Sequence, residues 1–233
     1  MKIRRIFLAA AALLALHLPV WSGDSASFVD LGFSQDGSFY MFAQYGVKSG
    51  RLIPWADIYI VDVAKNDFVP GGRISYTHDR PILAGQDGAG ALHRLLATNS
   101  GLAARYGVTY PNQGQPLYIS LDGDPVYNGE TITFRDFVSG AFYRANMVET
   151  ISGSAENLRS SFYITLDCVD SSGTEKTFAI GTPDLRRPLI MSYRIKKVLI
   201  APSGNSLIFV IEMQRHDEGG HDIRYMVEAL RLW

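Results

Sequence analysis

The sequence predicts a mainly β fold, a β-rich α+β chain whose antiparallel sheets form a sandwich or a partial propeller-like stack, with one or two short helices near residues 89–106. Three observations predict it. Short apolar runs recur along the chain, several with period-two alternation. Turn residues separate them at close intervals. One stretch alone carries apolar residues at helical spacing.

In chain order, the strand-like runs are Phe39 to Tyr45, Asp57 to Val63, Pro116 to Leu121, Thr131 to Phe137 and Ala141 to Ile151. Phe162 to Val169, Thr174 to Ile180, Leu189 to Ile200, Ser206 to Met213 and Asp222 to Leu232 follow. Asp36-Gly37, Asn128-Gly129, Ser172-Gly173, Ser203-Gly204 and Gly219-Gly220 supply the turn chemistry. In Phe162, Ile164, Leu166 and Cys168 the alternation places the sole cysteine on an apolar strand face, as a small core residue. Leu207 to Ile211 is apolar on both faces, as expected for a strand covered on both sides. The helical stretch has Leu92, Leu95, Leu96, Leu102 and Ala103 on its stripe. Asp87 stands at its start, Gly107 at its end, and Asn99 with Gly101 interrupts it.

The first residues read as a secretory leader. Lys2, Arg4 and Arg5 precede the apolar run Ile6 to Leu16, and small residues follow between Ser22 and Ala26. The apolar run is shorter than the roughly 20 residues a membrane span needs. The expected organisation is a signal peptide over residues 1–25 and one β-rich domain over 26–233, with no stable membrane span after removal of the leader and a periplasmic or secreted location. The whole chain has 22 basic and 23 acidic residues. Removing the leader takes away three basic residues, so no basic stripe is left for nucleic acid, which is not an expected partner.

No motif for a nucleotide, flavin, zinc protease or nucleophile elbow is present, and no cofactor is expected. The densest polar cluster runs from Arg215 to Asp222. Within it His216, Asp217 and His221 are candidate ligands for a divalent metal, although a five-residue separation on a hairpin is not a recurrent zinc spacing. Asp122-Gly123-Asp124 begins like a calcium loop but lacks the later ligands. His78 beside Asp79 is a candidate base pair or an ordinary loop histidine. Arg51, Pro54 and Trp55 in the loop after the first strong strand are candidate binding residues, because Arg and aromatic side chains anchor interfaces.

An internal repeat is also present. Phe33 to Phe42 aligns with Ile200 to Phe209, and Asp57 to Val61 with Asp222 to Met226. Each copy reads as turn, apolar strand, polar loop, apolar strand. The Ser-x-Asp-Gly turn and the Asp-Ile-Tyr strand resemble a repeat of TolB-type β-propellers. Ser203 and Arg224 depart from that pattern in the second copy. Taken whole, the chain resembles a bacterial family of predicted secreted proteins of unknown function. The resemblance rests on the leader, Gly32 to Gly37, Ala56 to Val63 and Ser203 to Phe209. It implies export and no activity.

The expected function is a non-catalytic binding or interaction domain whose partner is an envelope protein or a small ligand. The alternatives are a periplasmic hydrolase or metal-dependent enzyme, and a structural component docking on an outer-membrane assembly.

Overall fold

The computed structural model describes residues 23–121, 131–217 and 220–232. Residues 1–22 of the expected leader, the Asp122-Gly123-Asp124 segment and Trp233 lie outside the described residues.

The chain first builds a meander of β1 (Ser27–Phe33), β2 (Phe39–Lys48), β3 (Ile53–Asp62) and β4 (Asp67–Thr77), paired in that order. β2 and β3 pair without a break from Phe39↔Asp62 to Lys48↔Ile53. β4 is an edge strand, which is why it tolerates Pro70 and a register shift against β3. Two helices follow, α1 (Ala89–Thr98) and α2 (Gly101–Arg105). Asp87 accepts the Ala89 amide at 3.0 Å, and Gly107 ends the pair at φ +64°. Leu92, Leu95 and Leu102 lie in one core with Met41, Ala43, Ile58 and Ile60, so the helices cover the outer face of the first sheet.

The remaining strands are β5 (Gln115–Ile119), β6 (Thr131–Arg135), β7 (Phe142–Ser152), β8 (Arg159–Val169), β9 (Glu175–Ile180), β10 (Arg187–Pro188), β11 (Ile190–Ile200), β12 (Ser206–Asp217) and β13 (Gly220–Arg231). They form two more antiparallel sheets. One has the order β10-β8-β7-β6, with β9 also on β8, and the other has the order β13-β12-β11-β5.

The alternation in β12 decides how the sheets stack. Leu207, Phe209 and Ile211 enter a core shared with Phe162, Ile164 and Leu166 of β8. Ile208 and Val210 enter a second core with Tyr40, Phe42 and Val61 of the first sheet. The C-terminal sheet is therefore the middle layer, covered on both faces, as the double-faced apolar run predicts. The order through the molecule is helices, first sheet, C-terminal sheet, middle-segment sheet. Cys168 is 2% exposed within the core facing β12, where burial pushes its thiol up.

The fold class is as expected: antiparallel sheets in a stack with two short helices. Among the described residues the sheets close neither a barrel nor a ring, so the TolB-type resemblance does not extend to a propeller. The two repeat copies lie in different sheets and do not pair. Their turns nevertheless share one hydrogen-bond pattern. Ser34 donates its amide to Phe39 and Gly37 to Ser34, while Ala201 donates to Ser206 and Gly204 to Ala201. β1 and β4 were not among the expected strands: β1 carries Asp30 and Gly32, β4 carries Pro70-Gly71-Gly72, and both sit at sheet edges where such residues cost little.

Candidate functional site

A cleft of about 570 Å³ opens between the first sheet and the middle sheet. Its aromatic lining is Phe42, Tyr59, Phe68 and Tyr225, with Met213 and Met226 beside them. Phe42 and Tyr59 stack with centroids 4.8 Å apart. Side chains point here because odd positions of β3 and even positions of β2 face the middle sheet. Where the two sheets are pinned by polar contacts, apolar packing gives way to an open space.

Those contacts come from Gln44 and Asn66. Gln44 accepts the Tyr225 amide through Oε1 at 2.9 Å. Its Nε2 donates to Asp57 at 3.3 Å and to the Tyr59 hydroxyl at 3.2 Å, and that hydroxyl donates to Asp57 at 3.2 Å. Burial and the Asp57 charge push Tyr59 up to about 12, so it stays a neutral donor. Asn66 accepts the Ala229 amide at 2.6 Å and donates to Glu228. Burial raises the Glu228 carboxyl, opposed by the Asn66 bond and by Arg187, whose guanidinium lies 3.6 Å away.

Four arginines also line the cleft: Arg73, Arg187, Arg215 and Arg224. Two are engaged. Arg187 pairs with Glu228 and lies over the Phe162 ring at 5.0 Å. Arg224 pairs with Asp24 at 2.8 Å and Asp222 at 3.1 Å, and lies over the Trp55 ring at 4.4 Å. The other two differ. Arg73 lies over the Phe68 ring at 5.0 Å, but among the described residues neither Arg73 nor Arg215 has a carboxylate partner, and both are exposed. Asp57 is the one carboxylate in the lining, and it is already bonded to Gln44 and Tyr59.

Behind the cleft lies a buried polar knot. The Asp24 Oδ2 accepts the Trp55 indole N–H at 2.7 Å as well as Arg224. Asp24 donates its own amide to Asp222 at 2.9 Å. Burial raises the Asp24 carboxyl, against the pull of Arg224 and the Trp55 bond. Gly46 makes the knot fit, since an added Cβ there would lie 2.8 Å from Asp24 Oδ1 and 3.0 Å from the Trp55 ring. Gly23 and Ser25 take part as well, because Ser25 bridges in parallel to Ile223. These residues lie upstream of position 26, where the sequence sets the start of the domain.

The structure places the sequence-derived candidates as follows. Trp55 is 5% exposed and Pro54 is buried, while Arg51 stands exposed in the β2–β3 turn, so the three do not make one surface. Trp55 is part of the knot behind the cleft rather than an external anchor. His216 and His221 lie directly opposite each other in the β12–β13 hairpin, with Asp217 facing Gly220. Among the described residues no group of three or more potential ligand side chains is assembled there or elsewhere. His78 accepts the Arg80 amide at 3.0 Å in its own loop. Asp222, aligned with Asp57 in the repeat, does bond a backbone amide, whereas Asp57 bonds side chains.

Sequence reasoning missed the cleft. Arg215 stood in the polar cluster and Arg224 stood out as a departure from the repeat, but nothing local marked Arg73, Arg187 or Gln44. Their common feature is a shared space, created by pairing of strands far apart in sequence.

A search of curated proteins finds no match. A family model described as a predicted secreted protein matches residues 41–231, from within β2 to the end of β13. That span includes all of the described cleft lining and strands of every sheet, and the chain therefore belongs to the DUF2259 family of predicted secreted proteins.

Proposed function

We propose that this protein is a single non-catalytic binding domain that works outside the cytoplasm, and that the cleft takes a small amphipathic anion. The observation that carries this reading is the exposed guanidinium groups of Arg73 and Arg215 on the walls of an aromatic cleft, neither of them bonded to a carboxylate among the described residues. Guanidinium groups match carboxylate and phosphate oxygens in a planar fork, and Asp57, the carboxylate among the described lining residues, is bonded to Gln44 and Tyr59 instead. The aromatic and methionine lining suits an apolar body. The other polar groups of the lining are committed to holding the sheets together. A volume of about 570 Å³ is in the range of small-molecule sites.

The test is a melting-temperature titration of purified protein with a fatty acid, an aromatic carboxylate and an alkyl phosphate, each alongside its uncharged alcohol or ester. The charged member of at least one pair raises the melting temperature and its neutral counterpart does not. The Arg73→Ala/Arg215→Ala double variant, whose positions are exposed, keeps its own melting temperature but loses the response. Equal responses to charged and neutral members, or no response to any of the panel, would overturn the reading.

A further inference from the structure

We infer that export processing cuts this chain between Ser22 and Gly23, so that Gly23 to Ala26 form a strap of the mature fold. Within the Ser22 to Ala26 window the sequence offers two small-x-small or near-small settings for the cut. Gly23-Asp24-Ser25 before Ala26 has the smaller side chains. Val20-Trp21-Ser22 before Gly23 is the second. Side-chain size alone favours the first, and the folded structure favours the other.

Asp24 is 4% exposed, and its Oδ2, its carbonyl and its amide are all hydrogen-bonded. Its carboxylate holds the Trp55 indole at 2.7 Å and the Arg224 guanidinium at 2.8 Å. Its carbonyl accepts the Ile223 amide at 2.9 Å and the Arg224 Nη1 at 3.0 Å. Its amide donates to Asp222 at 2.9 Å. The Ala26 amide donates to Ile223 at 3.1 Å, which completes a short parallel pairing with the start of β13. A cut after Ser25 removes all of Asp24 at once. It leaves two buried donors, on Trp55 and Arg224, without that acceptor, and it leaves a guanidinium short of its nearest carboxylate.

Gly23 marks the limit of the strap. An added Cβ at Gly23 would lie 1.8 Å from the His221 carbonyl oxygen, so the backbone there rests directly on the β12–β13 hairpin. Gly23 is also half-exposed, whereas Asp24 is buried. The strap bears on the cleft as well, because Asp24 fixes Arg224, one of the cleft's arginines. The inference stands whichever ligand the cleft takes.

The full-length chain is expressed in an exporting bacterial host, recovered from the periplasm and measured by intact mass with N-terminal sequencing. The expected protein begins at Gly23. Ser22→Tyr blocks or displaces the cut, whereas Ser25→Tyr, at an exposed position, is processed at the same bond. A protein beginning at Ala26, at Met1 or at any residue other than Gly23 would overturn the inference. So would a Ser25→Tyr chain that fails to be cut while Ser22→Tyr is processed normally.

Discussion

The turn at Ser34 to Phe39 and the turn at Ala201 to Ser206 are two copies of one local design in two different settings. Both use a glycine in the left-handed region, Gly37 at φ +71° and Gly204 at φ +70°, and both close with the same pair of backbone bonds. Their side-chain chemistry differs. In the first, Asp36 accepts from Ser34 at 2.7 Å and from the Ser38 hydroxyl at 2.8 Å. In the second, the acceptor has moved to Asn205, which takes the Ser203 hydroxyl at 2.6 Å and the Ser206 hydroxyl at 3.0 Å. The strands that follow differ in their surroundings. β2 has helices on one face and a sheet on the other, whereas β12 lies between two sheets. Local code thus reproduces the hairpin, and neighbours decide what each face must pack against.

The largest expected effect tests the settings. Phe209→Ala and Ile208→Ala remove adjacent side chains on opposite faces of β12, both 0% exposed, and cost about 3–5 and 2–5 kcal/mol respectively. The aligned Met41→Ala lies against the helices, which can shift into the space more readily than a paired sheet can. Denaturant melts then show a greater loss for Ile208→Ala than for Met41→Ala. Equal losses would break the claim that confinement between two sheets sets the middle layer apart.

A smaller effect separates the two glycines. At Gly204 an added Cβ meets nothing within 4 Å, so Gly204→Ala costs only the left-handed backbone penalty, about 1 kcal/mol. At Gly37 the same Cβ lies 2.7 Å from Ser203 Oγ and 3.1 Å from Asn205 Oδ1, so the change also disturbs the second copy's bond. Gly37→Ala therefore costs about 1 kcal/mol more than Gly204→Ala. The reverse order would mean that the two turns do not touch in solution.

The smallest effect is electrostatic. Bonds from Ser34 and Ser38 hold the Asp36 carboxyl at about 2, below its ordinary 3.8. A depressed carboxyl stabilises the fold when ionised, so its contribution is full above about pH 4 and vanishes as pH falls toward 2. Asp36→Ser, which copies the residue found at 203, lowers the melting temperature slightly at pH 7, and the difference from wild type closes below pH 4. A difference that persists unchanged to pH 2 would assign the Asp36 contribution to something other than its charge. Because the group is exposed, the effect is small and shrinks further in salt.

Much of this architecture is visible in residue order. Alternation located β8, a double-faced apolar run marked β12 as covered on both sides, and Asp87 with Gly107 bounded the helical stretch. The repeat pointed to two matching hairpins. The cleft left almost no local trace. Arg73 and Arg187 look like ordinary surface arginines, and Trp55 is only a candidate binding residue until Asp24 and Arg224 are brought to it from either end of the chain.

What the sequence determined by itself was therefore set by short-range forces: strand and helix identity and turn geometry. The tertiary structure alone decided the order of the layers, the burial of Trp55 and the gathering of arginines around an aromatic space. Backbone sterics and apolar periodicity act within a few residues. Which distant strands meet depends instead on how whole faces bury one another, and that is settled only when the sheets stack.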